Sequence, residues 1–292
     1  MDYLIHILIL FGILSILAVS LDMIVGYTGI VSFAHAAFYA VGAYVGSLLY
    51  IHFQINILLS LLLSFIITAL IGALIFAMLL RLKEDYLILS FFALHEVILG
   101  VFHNWNGLTN GPAGLYGILR PSLFGYVLTN NYSYLAFVLL VLAVVLLFLY
   151  RWIRTPWGYM ARGVRDDALL ISVMGYRVKL LQIVTFAVGV GFAGVAGVLY
   201  AHYINYISPA AFSIALGVTV FTYVFIGGPA SMYGPIIGTA LMVALPEVLR
   251  LVGMPDSFAG PLQQIIYGSL LILLIFFRPQ GLFGKYKVGQ GG

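Results

Sequence analysis

Apolar residues fill nearly every position in runs such as Leu135–Leu149, and polar positions recur only as short interruptions many residues apart. A barrel strand would alternate polar and apolar over ~10 residues, whereas continuous apolar stretches of about 20 residues predict helices that cross a bilayer. Splitting the runs at charges and at Gly/Pro punctuation places crossings near Tyr3–Leu21, Ile30–Ile51, Ile55–Leu80, Tyr86–His103, Tyr132–Tyr150, Leu180–Tyr203, Phe212–Gly227, Ile236–Leu249 and Leu262–Phe277. The predicted fold class is all-α, a polytopic transmembrane helical bundle of about 8–10 crossings with broken helices. It forms one domain over 1–292, with a large polar loop at 104–131 and a basic loop at 151–180.

Two interruptions stand out. Gly26-Tyr27-Thr28-Gly29 breaks the first apolar region, and Gly227-Gly228-Pro229-Ala230-Ser231-Met232-Tyr233-Gly234-Pro235 breaks a late one. Irregular backbone at membrane depth survives only where protein or a water-filled cavity surrounds it, so both breaks are expected to line a path. One break per half is also what a weak internal repeat of the transporter kind would give. Past the first break, Ser32, Ala36 and Ala40 stand at four-residue spacing with Gly42 beyond, a strip of small residues that suits close helix packing. Freed amides near Thr28 and Ser32 would present a positive helix end.

Composition sharpens the class. Of 292 residues, 63% are hydrophobic and 8% charged, against roughly 25% charged in an ordinary soluble chain. No Asp, Glu, Lys or Arg occurs in Met23–Leu80 or in Leu180–Pro246. There is no cysteine, which removes disulfides, iron–sulfur clusters and thiolate metal sites. The first apolar run has no basic flank before it and no small-residue cleavage pattern after it, and is expected to be a retained helix.

Basic residues set the expected orientation. Arg151, Arg154, Arg162, Arg165, Arg177 and Lys179 share one loop, Arg278, Lys285 and Lys287 the tail, and Arg81 and Lys83 a short turn. All three regions fit the cytoplasm, and counting crossings back puts the N-terminus outside and makes Asn104–Asn131 the largest external loop.

Enzyme signatures fail. His95-Glu96 starts a zinc-protease-like pattern, but Leu99 stands where the second histidine belongs, and no P-loop or serine-hydrolase elbow is present. The chain is expected to be no enzyme, to hold no cofactor or metal, and not to bind nucleic acid. The ionisable residues in apolar surroundings are Asp22, His35, Glu96, His202 and Glu247. Asp22 and Glu247 end apolar runs, where interfacial solvation accounts for them, and Glu247 has Arg250 on the same helical face. His95 and Glu96 lie deeper, where a buried hydrogen bond and a path-lining role are equally open.

Tyr159–Met174 reads as an amphipathic helix with Arg162, Arg165 and Asp166 on a polar strip and Val164, Leu169, Ile171 and Val173 apolar. Contact with anionic lipid would repel Asp166 and Asp167, so docking into a groove of a partner protein is at least as well supported as lying on lipid.

The segment Gly26–Phe38 resembles the signature G-Y-x-G-x-x-S-x-x-H-x-A-F of the membrane permeases of branched-chain amino-acid ABC transporters, matching at Gly26, Tyr27, Gly29, Ser32, His35, Ala37 and Phe38. Leu108–Leu115 is similar to the family's L-T-G-G-x-x-G-L stretch. Thr155-Pro156-Trp157-Gly158, Arg165-Asp166-Asp167 and Met174-Gly175 resemble its T-P-x-G, R-D-D and x-G loop, and Phe277–Leu282 its F-R-P-Q-G-L end. Gly227–Pro235 is similar to G-G-x-G-S-x-x-G-P, with Pro229 where glycine is more usual. The C-terminal motif and the Arg-Asp-Asp loop point to the M-type of the usual M/H permease pair.

The resemblance implies a permease subunit of an importer in a bacterial or archaeal cytoplasmic membrane, working by alternating access. It implies a homologous second permease, two P-loop ATPase subunits that hold ATP and Mg, and a soluble substrate-binding protein. Candidate path residues are Gly26, Tyr27, Thr28, Gly29, Ser32, His35, Glu96, Gly227, Gly228 and Ser231. Candidate ATPase-coupling residues are Arg162, Arg165, Asp166, Asp167, Met174 and Gly175, with Gly158 and Gly175 as hinges. A related permease for urea or short amides remains open. A secondary transporter would want paired intramembrane acids, which are absent.

Overall fold

The computed structural model describes residues 2–123, 126–251, 256–277 and 280–284. Helices α1 (Asp2–Thr28), α2 (His35–Phe53), α3 (Ile57–Leu79) and α4 (Glu84–Asn104) form the first half. A short α5 (Asn106–Thr109) follows, then α6 (Asn131–Ile153), α7 (Pro156–Asp166), α8 (Ala168–Val173), α9 (Val178–Ile204), α10 (Ile214–Gly227), α11 (Gly234–Leu251) and α12 (Asp256–Phe277). Each predicted crossing falls on one of the longer helices. Among the described residues, seven segments are long and apolar enough to cross a membrane, and α11 adds a shorter apolar stretch, Gly234–Val248. The basic tail residues Arg278, Lys285 and Lys287 lie outside the described residues.

Helix α9 is the central post, packed against α1, α2 and α3. Its glycines permit this. A methyl group on Gly42 of α2 would fall 2.1 Å from the Gly194 Cα, and one on Gly194 would fall 2.6 Å from Thr68 Oγ1 of α3. Lipid tails are as apolar as leucine, so such close backbone approach, through van der Waals contact, is what holds helices together here. Next to it, Phe186 of α9 stacks on Phe76 at 4.3 Å and on Phe91 at 5.6 Å.

Several expectations are corrected. Helix α1 continues through Gly26, Tyr27 and Thr28, and the irregular segment is 29–34. Glycine alone does not end a helix whose neighbours are packed. The small-residue strip therefore loses Ser32, which precedes α2, while Ala36, Ala40 and Gly42 are buried in it. The amphipathic helix over Tyr159–Met174 is two helices, because Asp167 is extended (φ −157°) and its carboxylate accepts from Leu170 N at 2.9 Å to start α8. Gly158 lies inside α7, against the Trp152 carbonyl, as a packing position. Gly175 does turn the chain, with φ +88° after α8.

The bundle is all-α as expected, with two-residue strands closing the polar loop: β1 (Leu115–Tyr116) pairs with β4 (Tyr206–Ile207), and β2 (Ser122–Leu123) with β3 (Tyr126–Val127). Arg120 ties this loop down, donating to Thr129 O at 2.9 Å and Asn131 Oδ1 at 2.7 Å, and His202 Nδ1 lies 2.9 Å from Leu119 O.

Candidate translocation and coupling site

The two predicted breaks meet at one carboxylate. Asp22, on the penultimate turns of α1, is 3% exposed, and its Oδ1 accepts from Ala230 N at 2.8 Å across 208 residues. It is a buried tie rather than an interfacially solvated charge. Ala230 has φ +59°, a left-handed conformation that an alanine adopts at a cost of about 1 kcal/mol. The strained position is thus one residue after Pro229. Gly26 makes the contact possible, since a methyl group there would fall 2.3 Å from Asp22 Oδ1 and 2.4 Å from Ala230 N.

Arg165 closes the same cluster from α7. Its guanidinium donates to the Gly26 carbonyl at the C-terminal end of α1, where a cation meets the negative end of the helix dipole, and pairs with Asp166 at 2.9 Å. Only 9% of its side chain is exposed. So Arg165 faces inward to the bundle, while Asp166, Asp167, Met174 and Gly175 are exposed and Arg162 is half-buried. Exposed aliphatic side chains of this region gather at the α8 tip, Leu169 at 75%, Leu170 at 56%, Val173 at 78% and Met174 at 59% exposed, with the Trp157, Tyr159 and Tyr176 rings also exposed.

Beyond the cluster, the chain re-enters the bundle. His35 starts α2 beside Ser20, 2.8 Å from its Oγ, roughly 12 Å along α1 from its end. Segment 29–34 therefore climbs inside the bundle, with Ile30, Ser32 and Ala34 buried. Gly227 and Gly228 end α10, and a Cβ on Gly227 would collide with Gly234. Ser231 Oγ accepts from Gly234 N at 3.2 Å and starts α11. Tyr27 and Thr28 are buried, and Thr28 Oγ1 returns to Ile24 O at 2.6 Å.

A third break went unpredicted. After α9 the chain turns back through a 3-10 turn, Pro209–Phe212, whose Phe212 ring packs at 5.2 Å from Tyr39 and 6.3 Å from Tyr44 on α2. Helix α10 begins at that depth and has 14 residues, about 21 Å of rise against the ~30 Å of a bilayer core. Its N-cap, Ser213, is exposed and makes no side-chain cap bond. His95 of α4 lies beside the Phe212 main chain, fully buried, with neither ring nitrogen in a hydrogen bond of ordinary geometry.

Glu96, the next residue, points away from the chain's own core. It is exposed in the middle of α4 with Ala93 and with Val97, itself 61% exposed, and only 17% of this span is buried. A carboxylate at that depth cannot face hydrocarbon without a penalty of several kcal/mol. The outer face of α4, with Ser213 and Ala215 at the start of α10 also exposed, belongs against protein or water. Sequence marked Glu96 but not its direction, and nothing in it marked Ser213.

Among the described residues no cluster of metal-ligating side chains occurs. Glu247 accepts from the Tyr3 hydroxyl at 2.8 and 2.7 Å; the Arg250 side chain, its expected partner, lies outside the described residues.

Comparison with known proteins agrees with this architecture. The family model described as branched-chain amino acid transport system / permease component matches residues 3–275. The chain is 28% identical to the high-affinity branched-chain amino acid transport system permease protein LivM of Escherichia coli K12, over 91% of this chain and 67% of that protein. It is 27% identical to the probable LivM permease of Methanocaldococcus jannaschii, over 98% of this chain and 95% of that protein. It is 24% identical to the E. coli K12 permease LivH, over 94% and 92%. No solved structure matches the chain.

Proposed function

The chain belongs to the branched-chain amino acid transport system permease family, and on that premise we propose that it is one membrane half of an ABC importer for branched-chain amino acids. It pairs with a homologous second permease, is driven by two P-loop ATPase subunits that carry the ATP and Mg, and receives substrate from a soluble binding protein. The permease itself does no bond-making chemistry. Its basic loop and C-terminus lie in the cytoplasm and its N-terminus outside, as the positive residues favour. The membrane is the bacterial or archaeal cytoplasmic membrane.

The observation that carries the reading is Glu96 on the outward face of α4. One chain leaves this carboxylate unburied at membrane depth, and a second permease set against α4 and α10 turns that face into the wall of a shared path. The uncapped α10 N-terminus at Ser213 suits a carboxylate, and Glu96 suits an ammonium. A zwitterionic amino acid presents both, whereas urea presents neither charge. Power enters through the α8 tip, where Leu169, Leu170, Val173 and Met174 supply an apolar knob for an ATPase groove.

The test is leucine uptake by the whole transporter in proteoliposomes with its binding protein. Glu96→Gln should lower uptake at least about tenfold with ATPase assembly intact, the scale of one lost charge-assisted contact. Wild-type uptake by that variant refutes the path assignment, and competition by urea but not by valine or isoleucine refutes the substrate.

A further inference from the structure

A cavity of about 420 Å³ lies on the face that carries the basic loop, between the end of α6, helix α7, the last turn of α1 and the segment after α10. Arg154, Arg162 and Arg165 line it together with Tyr27, Tyr150 and Ser231, and no carboxylate does among the described residues. Of the acids beside these residues, Asp22 accepts from Ala230 and Asp166 pairs with Arg165. That leaves the charges of Arg154 and Arg162 without an ion pair among the described residues.

We propose that this cavity binds a phosphate-bearing anion, supplied as the headgroup of an acidic phospholipid or as free phosphate. The two arginines are preset for it. The Arg154 guanidinium lies 4.1 Å from the Tyr150 ring centroid, and that of Arg162 lies 5.0 Å from the Tyr27 ring centroid. Stacking engages the flat faces of a guanidinium and directs its N–H fork along the edge, the geometry that meets phosphate oxygens two at a time. Ring contacts of this kind restrict the guanidinium before an anion arrives, which lowers the ordering cost at binding.

Position favours phosphate over a protein carboxylate. Tyr150, Trp152 and Arg154 end a bilayer-length helix, so the cavity mouth sits at headgroup level, where aromatic and basic residues mark the interface. The apolar α8 tip, which suits a protein partner, is a different surface: none of Leu169, Leu170, Val173 or Met174 lines the cavity. An anion here would bridge α6, α7 and α1 beside the Asp22 tie, steadying the cluster on which both breaks converge.

The experiment uses the assembled transporter in phosphatidylcholine nanodiscs, with and without phosphatidylglycerol, read by native mass spectrometry and by thermal stability in a phosphate titration. Retained phosphatidylglycerol identifies the lipid source; stabilisation by phosphate without retained lipid identifies the free anion. In either case Arg154→Gln with Arg162→Gln should weaken binding at least about tenfold, the scale of a lost charge-assisted contact, while Lys179→Gln, an exposed cation outside the cavity, leaves it unchanged. If the double variant fails to assemble, Arg154→Lys with Arg162→Lys, which keeps charge but loses the fork, should weaken binding severalfold. The proposal is overturned if neither anion binds, if Lys179→Gln matches the double variant, or if the double variant sheds the ATPase with anion binding intact.

Discussion

Replacing Asp22 tests whether the two breaks are one mechanical unit. The carboxylate accepts the Ala230 N–H at 2.8 Å in a site 3% exposed, so Asp22→Ala leaves a buried amide without its acceptor. Orphaning such a donor costs about 1–3 kcal/mol. At roughly 2 °C per kcal/mol for a chain of this size, Asp22→Ala should lower the melting temperature of the purified permease by about 2–6 °C. Asp22→Asn keeps an oxygen acceptor in the same place and should lose less than half as much. Gly26→Ala attacks the contact from the other side, by placing a methyl group between its partners. Combined with Asp22→Ala it should add much less than the sum of the single effects, because one contact is being broken twice. Thermal unfolding followed by size-exclusion fluorescence measures all four proteins. Equal damage from alanine and asparagine at position 22, or full additivity with Gly26→Ala, would refute the reasoning.

Other outcomes follow from the same geometry. Ala230→Gly removes the left-handed strain and should raise stability by up to about 1 kcal/mol in the same unfolding assay. Gly42→Val drives a side chain into the Gly194 backbone, beyond what side-chain repacking absorbs, and should abolish the monodisperse protein on size exclusion. Ser20→Ala takes the Nε2 partner from His35, whose Nδ1 already lacks one, and should cost about 1–3 kcal/mol in thermal stability. Val173→Asp, on a side chain 78% exposed, should leave the melting temperature within about 1 °C yet strip the proposed ATPase partner during co-purification.

The apolar runs announced their helices because in a bilayer the length of an uncharged run is nearly the whole signal. Where the breaks fall was less legible. Gly26 and Tyr27 looked like punctuation, yet α1 continues through them, since the demand for a bare Cα at Gly26 comes from Asp22 and from Ala230, 204 positions on in the chain. Asp22 looked interfacial for the same reason: its partner is a backbone amide, which no residue type announces. The basic loop was recognised by charge, but charge misdirected the reading of Arg165, whose side chain turns toward α1 while the exposed face is made of Leu169, Leu170 and Val173. The entry of α10 at depth was hidden because Tyr206–Ser213 is nearly as apolar as a crossing. It is recognised only when Phe212 is seen against Tyr39 and His95.

These placements give the proposed transport cycle a short mechanical route. Force on the α8 tip reaches α7 across the single extended residue Asp167, and α7 holds the end of α1 through Arg165 and the Gly26 carbonyl. One turn up α1, Asp22 grips the segment after α10 at Ala230. Helix α10 is short enough that its other end, Ser213, lies beside His95 and the level of Glu96. The route runs through rigid helices, the short non-helical joints at Asp167 and after α10, and two hydrogen-bond contacts, and hydrogen bonds weaken steeply once donor and acceptor part by more than a few tenths of an ångström. A shift of α7 by about one ångström therefore has two outcomes: α1 and α10 move with it, or the tie at Asp22 breaks. Cross-linking separates them. Cysteines introduced at Asp22 and Ala230 break this hydrogen bond, so the informative pair is Tyr27→Cys with Ser231→Cys, flanking an intact tie. Bridging of that pair at equal rates with and without ATP means the tie travels as a unit, and bridging lost on ATP binding means that the tie is the element that opens.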